Sequence, residues 1–334
     1  MKRLAISLIC LSLSVGSVWA ASEKNDASSK PVKAIKLSVF AGSLPKNTPT
    51  GTGLQYFVAK INEYSKGSLA AEAFYDTQLG DATSMVQSLQ QGTVDIGVSG
   101  TSYYSGLVPE VQVFELPFLF DSIDKARAAV DGPAMDLLFK KLAEKDIVGL
   151  CFWENGFRQL SNDVRPVKTP ADLKGIKIRT LPSPIQIAAW KELGALPTAI
   201  DVAELYTALQ QGTVKAQENP LAEIVFRKFY EVQKYVSLTG HVYTPFLLSM
   251  SKATYSKLSE EQKAVIFKAA KEARTVQREA AAKMESEARK VLTDNGVKIE
   301  DAPDKAAFKK ITQSVYTMFT SKYGDSLLKM IQSN

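Results

Sequence analysis

The 334-residue sequence is poor in the residues from which metal centres and most hydrolytic sites are made: it has two cysteines and a single histidine, His241. A zinc site of the Cys/His type needs three or four such ligands and cannot be assembled from this inventory. With Cys10 inside the leader described below, Cys151 has no partner for an internal disulfide. There is no G-x-S-x-G elbow, no H-E-x-x-H and no P-loop. "GVSGT" (97–101) has the wrong spacing for an elbow, and "GTG" (51–53) lacks the third glycine of a dinucleotide fingerprint. A pair of carboxylates for glycoside hydrolysis stays open, because such partners can lie far apart in sequence. The expectation is therefore a protein that is not an enzyme, with no cofactor and no metal. Lysines and arginines (41) outnumber aspartates and glutamates (35), but they are spread along the chain, so the basic face that nucleic-acid binding needs is missing.

Long hydrophobic runs are also scarce. The only candidate is Leu4 to Val15, which follows Lys2 and Arg3 and precedes Val18-Trp19-Ala20. A charged start, a short apolar stretch and a small residue at the boundary read as a signal peptide over 1–20, cleaved after Ala20; a membrane anchor is the alternative. Residues 21–33 are polar and expected to form a disordered tail. The chain without its leader has 314 residues, more than one hydrophobic core usually supports, so two lobes are the default.

Within that length strand and helix patterns alternate. "AIKLSVFAG" (34–42) reads as a strand, 51–67 as a helix with apolar positions 54, 57, 58 and 61, and "SLAAEAFY" (68–75) as a strand again. This predicts an α/β fold. "LQQGTV" occurs at 89–94 and at 209–214, each time where a helix pattern stops at glycine and a strand pattern starts. Gly92 and Gly212 suit the left-handed position that ends many helices. The repeat is either reuse of a good cap or the mark of two similar lobes. From Ser259, which forms a capping box with Gln262, to Asn295-Gly296 there is no proline or glycine, predicting a helix over about 260–295, roughly 50 Å long. It is expected to run across both lobes; an alanine-rich coiled-coil dimer is the rival reading.

"GIKIRTL" (175–181) poses the sharpest question: it has the pattern of a buried strand, yet it contains Arg179. A buried guanidinium without an acceptor costs several kcal/mol, so it must meet a carboxylate or its equivalent. Glu204 and Glu218 are the internal candidates. The pieces that follow, "LGALPTA", "ELYTALQQGTV" and "QENP", stand in an order that resembles the solute-binding proteins of tripartite ATP-independent periplasmic (TRAP) transporters, the DctP-like family. "QLGD" (78–81), "VPEVQVFELPFLF" (108–120), "WENGFRQLSN" (153–162) and "KFYEVQKY" (228–235) agree, so the resemblance spans nearly the whole mature chain.

The resemblance implies a two-lobed periplasmic binding protein fold (type II-like), a cleft between lobes and a long helix linking them. It implies lobe I over 34–155 plus about 244–280 and lobe II over 156–243 plus about 281–334. The implied function is a receptor in the periplasm, expected to be a monomer, that captures an organic monocarboxylate and delivers it to the permease subunits of a TRAP transporter. A ligand-sensing protein that presents its bound carboxylate to a sensor kinase is the alternative. Arg179 occupies the position of the family's clamp on the ligand carboxylate, a role suited to the planar guanidinium fork. Asn219 of "QENP" is expected to donate its amide to the same group, and Arg158 of "NGFR" to contact the acid end. Internal roles are the alternatives: an ion pair for Arg158 and turn support for Asn219. Phe40, Ser99, Thr101, Tyr103, Trp153, Phe157, His241 and Tyr243 are expected to complete the wall, with core positions the alternative for the aromatics. Leu181 stands where many relatives carry proline, which marks it as a wall position peculiar to this chain. Lys46 is a candidate for a second carboxylate. Which acid is bound stays open.

Overall fold

Residues 33–333 are described by a computed structural model. The expected leader and all of the expected tail but its last residue lie outside the described residues. The first half of the chain contains β1 (Ile35–Phe40), α1 (Pro49–Tyr64), β2 (Leu69–Phe74), α2 (Ala82–Gln91), β3 (Ile96–Gly100), α3 (Ile123–Asp131), α4 (Ala134–Ala143) and β4 (Ile147–Asn162). The second half contains β5 (Lys177–Thr180), α5 (Pro184–Glu192), β6 (Leu196–Ala199), α6 (Leu205–Gln210), β7 (Ala216–Asn219), α7 (Leu221–Phe226), β8 (Tyr235–Ser251), α8 (Lys252–Tyr255), α9 (Glu260–Asp294), β9 (Lys298–Glu300), α10 (Lys305–Ile311), α11 (Ser314–Tyr323) and α12 (Ser326–Gln332).

The strands join in the order β2-β1-β3-β8-β4-β7-β5-β6, with β9 added on β8. The two long strands, β4 and β8, pair antiparallel along their length and pass from one lobe to the other. Parallel β1, β2 and β3 build the first lobe on the far end of β8, while parallel β7, β5 and β6 build the second on the far end of β4.

The repeated "LQQGTV" is a repeated structure. Gly92 and Gly212 have φ of 75° and 72°, a region open to glycine at no steric cost. Their amides donate to Leu89 and Leu209 carbonyls at 3.2 and 3.1 Å, and Val94 and Val214 reach back to Ser88 and Ala208. Each junction turns a helix into the strand next to one of the two long strands, β3 beside β8 and β7 beside β4.

α9 has 35 residues and starts on the predicted capping box. Ile266, Ala269, Ala270 and Ala273 pack into the first lobe's core with Leu54 and Phe57 of α1, whereas Ala288 and Leu292 pack into the second lobe's with Leu205 and Ile224. The alanine face that the coiled-coil reading required is therefore consumed inside the chain. α11 and α12 pack between elements of both halves: Val315, Phe319, Leu327 and Ile331 join Leu138 and Leu142 of α4, Val111, and Ile185 of α5 in one cluster.

Candidate functional site

The carboxyl ends of the parallel strands meet at the centre of the sheet, where side chains are free of the ladder and ligands of open α/β sheets usually bind. Ala41 follows β1, Ser99 and Gly100 end β3, Arg179 and Leu181 stand at the end of β5, and Asn219 ends β7. All six line one cavity. Ser43, Tyr103, Asn155, Arg158, Val202, Glu223, Arg227, Thr244 and Phe246 are among the other residues around it.

Strand alternation explains Arg179. Ile178 points into the second lobe's core, which sends its neighbour to the opposite face. The Arg179 side chain is fully buried. Its Nε donates to the Ile200 carbonyl at 2.8 Å and its Nη2 lies 3.5 Å from the Tyr103 hydroxyl. Its Nη1 is buried without a partner among the described residues. Neither Glu204 nor Glu218 bonds to it. Burial pushes the Arg179 guanidinium below its ordinary value, against the attraction of Tyr103 and Glu218.

Arg158 is almost as buried, but its Nε and Nη2 are engaged by protein acceptors. Its Nε donates to the Glu218 carboxylate, and its Nη2 donates to Glu218 Oε1 at 3.0 Å, to the Glu218 carbonyl at 2.5 Å and to Asn219 Oδ1 at 2.7 Å. Burial opposes its charge, and Glu218 more than offsets that, so its value is raised. Asn219 is held at both ends, with Nδ2 donating to Gln217 Oε1 at 2.6 Å, which leaves one amide hydrogen for a ligand. A second ion pair lines the cavity, where Arg227 Nε donates to Glu223 at 2.7 Å and Arg227 Nη2 to the Ser43 carbonyl at 3.1 Å.

Six of the twelve expected residues line this cavity: Arg179, Arg158, Asn219, Ser99, Tyr103 and Leu181. Six do not, and β-strand parity accounts for most of them. Opposed residues on paired strands share a face. Trp153 opposes Phe246, Gly156 opposes Thr244 and Arg158 opposes Val242, whereas Phe157 opposes Tyr243. The register slips between Glu154 and Gly156, leaving Asn155 as an extra residue, so the cavity face changes from odd to even numbers within one strand. Phe157 is thereby turned to the other face, where Tyr243 already points by alternating with Thr244 on β8, and their rings are 5.5 Å apart. His241 follows them: its Nδ1 is 2.8 Å from Thr239 Oγ1 and its ring packs on Trp190, in a separate small cavity. Trp153 is covered by α1, where Gly53 leaves room for its ring. Phe40 is core, its successor Ala41 being the wall residue, and Thr101 is buried at the start of a 3-10 turn. Lys46 is exposed and away from the cavity.

Sequence reasoning did not find Ser43, Asn155, Glu223, Arg227 and Thr244. The signal for the bulge was Gly156, a glycine inside a strand pattern with φ of 120° at the slip, whereas Glu223 and Arg227, four residues apart, read as an ordinary helical pair.

The model of the DctP family, described as "Bacterial extracellular solute-binding protein, family 7", matches residues 40–322. The chain belongs to that family. It is 38% identical over 288 residues to the 2,3-diketo-L-gulonate-binding periplasmic protein YiaO of Escherichia coli K12, covering 84% of this chain and 88% of that one. Among solved structures, it is similar to a TRAP periplasmic solute-binding protein from Polaromonas sp. JS666 bound to D-erythronate. That match has 34% identity and a TM-score of 0.86, covering 90% of this chain and 98% of the other. The sugar acid binding protein of Advenella mimigardefordensis in complex with galactonate gives 33% identity and a TM-score of 0.87, over 90% and 98% of the two chains. The fold is thus the two-lobed one of TRAP solute-binding proteins, which are substrate-binding receptors and not enzymes. As a family member the chain is a solute-binding protein for organic acids.

Proposed function

We propose that this protein is a periplasmic receptor that captures an organic acid on Arg179 and hands it to the permease of a TRAP transporter. The observation that carries this reading is the buried Nη1 of Arg179, a residue of the cavity wall, which has no acceptor among the described residues. Burying an unpaired guanidinium is costly unless its partner arrives from outside. A ligand carboxylate supplies that partner, with the free hydrogen of the Asn219 amide as a second donor. Arg158, already neutralised by Glu218, holds Asn219 in place.

The lobes are divided at the β4 bulge and the facing Thr244, into 34–155 plus about 244–280 and 156–243 plus the later residues, with α11 and α12 bridging back. Ligand-driven closure about that point is of the hinge type. A closed state that the ligand alone completes is the form a permease can distinguish from the empty one.

The relatives named above bind diketogulonate, erythronate and galactonate, so erythronate and galactonate are the probes of choice. Arg179→Ala should lower affinity for them by at least about 30-fold in calorimetry, the scale of a truncated buried charge pair. Its far-UV circular dichroism should match wild type. Unchanged affinity in a folded variant would remove Arg179 as the clamp.

A further inference from the structure

Four charged side chains line the cavity, and their pairing is unequal. Arg158 is bound by Glu218 and Arg227 by Glu223; Arg179 alone among the lining cations touches no carboxylate of the described residues. The cavity therefore offers one uncompensated positive charge. Elsewhere in its wall the Arg227–Glu223 pair is well shielded, with side chains 11% and 6% exposed. A second carboxylate arriving there would meet a guanidinium already satisfied and a like charge beside it, in surroundings that screen poorly.

Two hydroxyls complete the picture. Ser43 Oγ, after β1, and Thr244 Oγ1, on β8 beside the bulge, both line the cavity and are both buried without a hydrogen-bond partner among the described residues. An unpaired buried hydroxyl is an unmet demand for a group that both donates and accepts, which a ligand hydroxyl is. A site built around such demands rejects analogues that leave them unmet far more strongly than it rejects a change of bulk.

We infer that the Glu223–Arg227 pair, together with Ser43 and Thr244, sets specificity: it admits a hydroxylated monocarboxylate and excludes the corresponding dicarboxylate. This rests on the receptor reading of the same cavity. Glu223 cancels the charge that would otherwise welcome a second carboxylate, and the hydroxyls read the ligand body between the two ends. Arg227 also bonds the Ser43 carbonyl from the other lobe, so the discriminating pair belongs to a contact made across the cleft.

The test uses acids that differ in one group. Calorimetry on the wild-type protein compares erythronate with meso-tartrate and galactonate with galactarate, where a terminal alcohol becomes a carboxylate, and with butyrate and hexanoate, which lack hydroxyls. Each hydroxylated monoacid that binds should do so at least about 100-fold more tightly than its diacid and its unsubstituted counterpart. Glu223→Gln, which frees Arg227 with little change of shape, should narrow the monoacid-to-diacid ratio at least tenfold. Thr244→Val should narrow the ratio of hydroxylated to unsubstituted acid by a similar factor and leave the first ratio alone. Diacids binding wild type as tightly as monoacids, or a folded Glu223→Gln protein with an unmoved ratio, overturns the specificity assignment and leaves the receptor reading standing. Binding of none of the six acids overturns both.

Discussion

Arg158 is tied to Glu218 by side chain and backbone at once, whereas Arg179, in the same cavity, is tied to no carboxylate among the described residues. The first relationship is structural and the second is available. Removing the charge of Glu218 should therefore damage the fold, not merely the site. Glu218→Gln leaves the buried Arg158 guanidinium uncompensated and should cost about 3–5 kcal/mol in urea unfolding.

The same pair should give the protein an acid limb. Burial pushes the Glu218 carboxyl up, but Arg158 and the His241 contact more than offset this and hold it at about 2, below an ordinary 4.5. A depressed value means the folded state resists protonation, so the stabilisation is complete above about pH 4.5 and is lost as pH falls toward 2. Thermal midpoints between pH 5 and 2 should fall more steeply for wild type than for Glu218→Gln.

Glu115 should act with the opposite sign. It is fully buried, accepts from Ser102 Oγ and Gln186 Nε2, and burial drives its carboxyl up to about 7 despite those bonds and the nearby Arg158. A raised value means the folded state keeps a proton that the unfolded chain has lost above about 4.5. Its contribution is full below that pH and disappears as pH rises through 7. Glu115→Gln should flatten the decline of the thermal midpoint between pH 5 and 7.5; an unchanged slope would show that Glu115 titrates normally.

Much of this architecture was legible in the sequence, for physical reasons that differ by element. α9 announces itself by its capping box and an unbroken helical pattern, and Gly92 and Gly212 by a cap that few other residues fit. Arg179 was legible because a charge inside a buried strand demands a partner. The face of β4 beyond the bulge was not, since one extra residue at Asn155 reverses its parity as far as the next slip, between Arg158 and Leu160. Phe157 was misplaced for that reason, whereas Tyr243 on β8 simply alternates away from its cavity neighbour Thr244, which was missed, and His241 falls where β8 slips between Val242 and Ser237. Arg227 and Glu223 were hidden by being satisfied with each other.

The bulge itself should depend on α9. Gln277, fully buried, donates from Nε2 to the Glu154 carbonyl at 2.6 Å and accepts from the Glu154 amide at 2.8 Å. Gln277→Met would strand both backbone groups and should cost about 2–5 kcal/mol, on the scale of two unmet buried hydrogen bonds. Urea unfolding measures the loss.

The two repeated caps should differ in tolerance. Alanine at either position is strained by the positive φ, about 1 kcal/mol. At Gly92 its Cβ would also stand 3.2 Å from Ala253 Cβ, whereas at Gly212 it would meet the mobile end of Lys215. Gly92→Ala should therefore lower the thermal midpoint more than Gly212→Ala.

The shared long strands bear on how the chain can be made. β3 waits for β8 to complete its ladder, and so does β4, although β8 begins only at Tyr235. A nascent or truncated chain that ends before that residue leaves both inner edges open, and open edges of hydrophobic strands recruit other chains. Neither lobe exists as a separable half, so a deletion meant to isolate one would yield an aggregate in place of a smaller receptor.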